Sequence, residues 1–167
     1  KKRGHSSSGD CNSKKMKDFS IFFCTFFGLG YLTKFPGTLC SFVSLFLIWL
    51  IKHKFNIEIV LLIYVLSFVI SFFLISKAIS KLKEKDPSII VIDEYIGQFT
   101  ALLFCKENII EYTLAFILFR LFDIFKPFPI NLIDSRYGSF YVLFDDILAG
   151  LYTGLILQLT YFFWING

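Results

Sequence analysis

The run IVLLIYVLSFVISFFLIS, Ile59–Ser76, carries no charged residue. At about 1.5 Å of rise per helical residue it covers most of the roughly 30 Å hydrocarbon core of a bilayer. It is followed at once by Lys77, Lys81, Lys83 and Lys85, a basic flank of the kind that stays on the cytoplasmic side. A second uncharged run, Ile147–Ile165, contains Gly150-x-x-x-Gly154, small residues that let a neighbouring helix approach closely. Leu39–Ile51, Tyr95–Cys105 and Ile109–Phe125 are further apolar segments, the last two separated by Lys106-Glu107-Asn108. Phe19–Tyr31 is also apolar, but it holds Gly28 and Gly30 and reads as an interfacial or half-buried helix. Long uncharged runs without strand-like alternation predict an all-α, multi-helix membrane bundle of about five to six helices.

Composition points the same way. Of 167 residues, 56% are hydrophobic, 20% aromatic and only 18% charged. A chain this small has too little interior to hide that much apolar surface from water. Lys1, Lys2, Arg3, Lys14, Lys15 and Lys17 against Asp10 and Asp18 make residues 1–18 a basic tail. The tail's excess equals the +4 of the whole chain, so residues 19–167 balance to zero. The expected organisation is therefore a disordered basic tail, 1–18, with Met16 as an alternative start, and one membrane-embedded domain, 19–167. A basic tail beside an apolar body reads as positive-inside charge or attraction to anionic lipid. No basic face continues into the body, so nucleic acid is not an expected partner. A secretory signal peptide is the competing reading of the basic region before Phe19.

Cys11, Cys24, Cys40 and Cys105 form no C-x-x-C pair, which argues against a disulfide framework or a zinc site. His5 and His53 are the only histidines, and both lie outside the polar clusters described next. A histidine triad is thereby nearly excluded, a histidine-nucleophile phosphatase would lack its histidine in these clusters, and no cysteine is followed by five residues and then an arginine, as a cysteine phosphatase requires.

Four polar constellations interrupt the apolar body. Phe35-Pro36-Gly37-Thr38 forms a turn, with Thr38 expected to cap a helix beginning at Leu39 and free amides there suited to phosphate. Asp93-Glu94-x-x-Gly97 places adjacent carboxylates in an apolar run, costly unless paired or bound to metal. Arg120, Asp123 and Lys126, spaced i, i+3, i+6, share one helix face, and Pro127 ends that helix. Asp145-Asp146 stands at the expected mouth of the last span, where one carboxylate is readily explained as a dipole cap and two are not. A plain capped turn, an internal Arg120–Asp123 salt bridge and a simple cap are the structural alternatives. Hard oxygen donors suit Mg²⁺, and arginine and lysine suit phosphate oxygens. The pattern points to metal-assisted chemistry on a phosphorylated, membrane-resident substrate. Asp93, Glu94, Asp145 and Asp146 are the expected metal wall, with Gly37, Thr38, Arg120 and Lys126 on the phosphate. Asp123 and Asp146 are further catalytic candidates. Attack by water and an aspartyl-phosphate on Asp123 or Asp146 both remain open.

Taken together and in this order, the four constellations resemble the phosphatidylglycerophosphatase A family. The resemblance spans about Gly28–Gly154 and rests on Pro36-Gly37-Thr38, Asp93-Glu94-x-x-Gly97, Phe119-Arg120-x-Phe122-Asp123-x-x-Lys126-Pro127-x-Pro129 and Asp145-Asp146-x-x-Ala149-Gly150. It implies a multi-helix, magnesium-dependent bacterial hydrolase. Its substrate would be phosphatidylglycerophosphate and its product phosphatidylglycerol, in phospholipid biosynthesis. The Lys77–Lys85 cluster and the basic tail are what predict an inner-membrane protein with its polar clusters facing the cytoplasm. Cys40 stands where that family usually has glycine, and Tyr137-Gly138-Ser139-Phe140-Tyr141 is poorer in glycine than its usual loop. A non-enzymatic membrane scaffold and a phospholipid headgroup transferase are the rival readings; the dense Asp-x-x-Asp-Gly array of the latter is absent.

Overall fold

The computed structural model describes residues 19–31, 35–82, 89–131 and 138–166. The basic tail, Lys83 and Lys85 lie outside the described residues. Among the described residues six helices follow in order: α1 (Phe19–Cys24), α2 (Pro36–Lys54), α3 (Ile57–Leu82), α4 (Ile92–Leu103), α5 (Ile109–Phe125) and α6 (Ser139–Asn166). A short 3₁₀ turn, Leu29–Tyr31, lies between α1 and α2. No strand occurs among the described residues. The all-α bundle expected from the uncharged runs is the fold observed.

Among the described residues three helices are long and apolar enough to cross a membrane: Pro36–Lys54, Ile57–Ser80 and Ser139–Phe163. The helix expected from Leu39 begins at Pro36, because proline suits the first helical position and the turn ends earlier. Phe35 occupies the N-cap without a side-chain hydrogen bond, so Thr38 lies inside the first turn and is not the cap expected of it. The last helix likewise starts at Ser139, well before Ile147, directly after Gly138 at φ +128°. Asp145 and Asp146 therefore sit inside α6 and not at its mouth, which removes the cap explanation for both.

The short helix α4 is the centre of the bundle. Its 12 residues reach about 18 Å, too little to cross the hydrocarbon layer. It packs on α2, α3, α5 and α6, most extensively on α6. Residues from Ile96 to Leu102 are all buried, the polar Gln98 and Thr100 among them, so this helix is enclosed by its neighbours nearly all round. By contrast α3 presents Leu61, Leu62, Val65, Leu66, Val69, Ile70 and Phe73 to the outside, a surface suited to lipid chains. The break at Lys106-Glu107-Asn108 is realised as expected: Asn108 caps α5 by accepting from the Ile110 N–H at 3.0 Å.

This up-and-down order gathers the start of α2, the start of α4, the end of α5 and the early part of α6 around one cavity. The opposite end of the bundle holds a separate set of contacts. There His53 meets Glu107, Lys106 reaches the Tyr161 hydroxyl, and Lys52 and Gln158 bond to main-chain carbonyls at and just past the end of α4.

Candidate active site

All nine residues singled out from sequence line one cavity of about 440 Å³: Gly37, Thr38, Asp93, Glu94, Arg120, Asp123, Lys126, Asp145 and Asp146. They come from four helices and from separations of up to about a hundred residues, so only the packing of α4 against its neighbours brings them together.

The acidic pair on α4 is placed by what precedes it. Val91 donates its N–H to the Cys24 carbonyl at 2.9 Å and accepts from the Cys40 thiol at 3.0 Å. Helices α1 and α2 thus hold both polar groups of the residue from which α4 departs. Asp93 and Glu94 follow in the first turn, where carboxylates complement the helix dipole. Asp93, Glu94 and Asp146 each offer an oxygen within 4.8 Å of the others, the spacing of a divalent-cation site. Asp93 is 7% exposed and Asp146 4%, so mutual repulsion is poorly screened by water. Burial pushes the Glu94 carboxyl up to about 8, and Asp146 and Asp123 push the same way against the Asp93 hydrogen bond and Arg120. One Glu94 oxygen, Oε2, is buried with no hydrogen-bond partner among the described residues.

The cations stand opposite. Arg120 Nη1 donates to Asp123 Oδ2 at 2.5 Å, one helical turn on, while Arg120 Nε is buried and unpartnered. Lys126 ends α5 in the left-handed region, φ 42° and ψ 62°, and its Nζ donates to Asp145 Oδ2 at 2.7 Å. Adjacent aspartates on α6 therefore diverge: Asp145 faces the lysine, and Asp146 joins the α4 carboxylates. Gly37 is small for a packing reason. A Cβ there would collide with Glu94 Oε1 and stand 3.3 Å from Arg120 Nη1, so the start of α2 lies directly against both charges. Gly37 and Thr38 lie in a first helical turn, where main-chain N–H groups have no partner within the helix.

Sequence reasoning did not name the apolar rim. Phe35, Pro36, Ile90, Ile124 and Val142 complete the cavity lining, with Phe35 75% and Ile124 66% exposed. The available signal was position alone: Phe35 precedes the Pro-Gly turn and Ile124 follows Asp123.

A phosphatidylglycerophosphatase A family model matches residues 22–161, which contain every residue that lines this cavity. The chain belongs to the phosphatidylglycerophosphatase A family. Family members are phosphatases, and the cavity's grouping of carboxylates and cations is what such chemistry needs. Among relatives, a phosphatidylglycerophosphatase A of Haemophilus influenzae is 33% identical over 132 residues, covering 78% of this chain and 81% of the relative. A candidate phosphatidylinositol-3-phosphatase of Bacteroides thetaiotaomicron is 30% identical over 151 residues, 86% of this chain and 92% of the relative. The phosphatidylglycerophosphatase A of Escherichia coli is 29% identical over 143 residues, 84% and 83% of the two chains. No solved structure matches this member of the family.

Proposed function

We propose that this chain hydrolyses the terminal phosphomonoester of phosphatidylglycerophosphate, releasing phosphate and phosphatidylglycerol in phospholipid biosynthesis. The observation that carries the reading is one cavity in which three clustered carboxylates face Arg120 and Lys126 beneath an apolar rim. A lipid phosphate needs all three: a cation site, phosphate-binding charges and an apolar approach for the acyl chains.

The donor set fits Mg²⁺. Asp93, Glu94 and Asp146 are hard oxygen donors, and the unpartnered Glu94 Oε2 is a buried acceptor of the kind a cation would satisfy. These residues would hold the ion, which when bound polarises a phosphoryl group and lowers the pKa of an attacking water. The chain's own groups do the rest. Arg120 and Lys126 neutralise the phosphate oxygens, with the Gly37 and Thr38 amides binding from the α2 side. Asp123 holds the Arg120 guanidinium in place, and Asp145 does the same for Lys126. Water adds to phosphorus and gives up one proton, the ester P–O bond breaks, and the leaving lipid alkoxide takes up that proton, so that the products are the lipid alcohol and hydrogen phosphate.

Purified protein in mixed micelles should release phosphate from phosphatidylglycerophosphate at least tenfold more efficiently, by kcat/KM, than from glycerol 3-phosphate. Chelation of divalent ions should abolish turnover, and added Mg²⁺ should restore it. Phosphatidylinositol 3-phosphate belongs in the same assay because one relative bears that name. Preference for it would replace the headgroup assignment, while equal rates on lipid and soluble esters would overturn the lipid reading.

The site faces the cytoplasm of a bacterial inner membrane in this reading, supported by Lys77 and Lys81 at the end of α3 nearest the cavity. Exposed Glu107 marks the opposite end and exposed Ser80 the near end. In intact cells an impermeant maleimide should label Glu107→Cys and spare Ser80→Cys; the reverse pattern inverts the orientation.

A further inference from the structure

Lys52 is out of place for a residue near the end of an apolar helix. A lysine there ordinarily reaches outward to water or headgroups. Instead its Nζ turns inward and donates to two main-chain oxygens, Leu102 O at 2.7 Å and Cys105 O at 2.6 Å. Its ammonium also lies 5.6 Å from the centre of the Tyr112 ring. From α6, Gln158 Nε2 donates to Phe104 O at 2.6 Å. Two side chains from two different helices thus converge on three carbonyls at the C-terminal end of α4.

Those carbonyls have acceptor capacity left over from the main chain. Leu102 O accepts the Cys105 N–H at 3.2 Å, and the second lone pair of a carbonyl oxygen at a helix end, where the next turn supplies no further N–H, is free for a side-chain donor. Leu102 is fully buried and Cys105 is 6% exposed. A cation at this end also complements the helix dipole. Because α4 is short and does not cross the membrane, its own length does not set its position along the bundle normal. Its start carries Asp93 and Glu94, and a rigid helix transmits any axial slip at one end to the other.

We propose that Lys52 and Gln158 form a polar clamp that fixes the depth of α4, making Lys52 a positioning residue for the Asp93–Glu94 pair. The proposal rests on the reading of those carboxylates as working groups. Cys105 is a native reporter, since its thiol is buried at the clamped end. The experiment compares the full-length wild type with Lys52→Met, Lys52→Arg and Gln158→Leu. It measures the rate of Cys105 modification by a small maleimide, resolved by peptide mass spectrometry, beside kcat/KM for phosphate release. Lys52→Met should raise the labelling rate and lower kcat/KM, each at least tenfold. Gln158→Leu, at an exposed position, should move both in the same direction by about threefold. Arginine can donate to two carbonyls, so Lys52→Arg should stay within about threefold of wild type on both measures. Unchanged Cys105 labelling in Lys52→Met and Gln158→Leu overturns the clamp. Increased labelling with unchanged kcat/KM overturns its positioning role, and an arginine variant as impaired as methionine overturns the charge argument. Asp93→Asn is the control for the site itself: full activity there counts against the carboxylate reading, whereas the labelling arm reads the clamp without it.

Discussion

Asp93→Asn and Asp146→Asn are each expected to lower kcat for phosphate release by on the order of 10²–10³-fold, the cost of one preorganised charged group at a reacting centre. Asparagine keeps the shape of aspartate and removes its charge, so loss of packing is not the cause. Both carboxylates are buried and belong to the cluster whose oxygens lie within 4.8 Å of one another. Removing one also relieves repulsion among the rest, so the variants should insert and purify at least as well as wild type. That combination separates a working carboxylate from a structural one. Asp123→Asn should fall by a similar factor for another reason, since it frees the Arg120 guanidinium it holds at 2.5 Å. Steady-state kinetics on detergent-purified, monodisperse protein decides the matter. Turnover within threefold of wild type in all three variants would rule this site out.

Gly97→Val and Gly150→Val should be still more damaging, because they act on the contact that builds the site. A Cβ at Gly97 would stand 2.6 Å from Phe119 Cε2 and 2.7 Å from the Asp146 carbonyl oxygen. A Cβ at Gly150 would collide with the Gly97 carbonyl oxygen and lie 3.2 Å from the Ala101 nitrogen. Main chain cannot rotate aside as a side chain can, so α4 and α6 must separate. Overpacking of this kind ordinarily costs about 1–3 kcal/mol, and here it also draws Asp146 away from Asp93 and Glu94. Activity should fall more than 100-fold with a clear drop in Tm in detergent. Gly154→Ala offers a milder contrast, since the nearest atoms its new Cβ would meet belong to the Phe104 side chain, with Cγ at 2.7 Å and Cβ at 3.1 Å, and not to main chain, so Phe104 must be displaced but α4 and α6 need not part. It should retain activity within about fivefold. A Gly97→Val protein with wild-type Tm and turnover would show that the two helices do not need this close approach.

The contrast between Gly150 and Gly154 shows where the sequence stops being informative. The small-x-x-x-small pattern correctly marks a face that another helix approaches. It does not say that one glycine meets main chain and the other a phenyl ring. The same holds for Asp145 and Asp146. Neighbours on a helix point about 100° apart, so a pair of carboxylates read as one acidic wall is divided between Lys126 and the α4 cluster. Lys52 is the clearest case: on hydropathy alone it is a charge at the wrong end of a span, and its partners, the carbonyls of Leu102 and Cys105, have no sequence signature at all.

The sequence by itself determined the helical fold, through uncharged runs whose main chain has no alternative to internal hydrogen bonding in lipid. It also determined the chemistry available, because charged residues in so apolar a chain are costly and few, and each must be paired or used. Helix starts were less legible, since α2 and α6 begin upstream of the expected positions through residues that read equally well as loop. Tertiary structure alone decided that residues from four helices line one cavity, which oxygens converge and which are neutralised by cations. Those outcomes depend on the rotation and depth of each helix relative to α4. Rotation and depth follow from the close approach at Gly97 and Gly150 and the contacts at either end of α4, long-range interactions that local sequence does not encode.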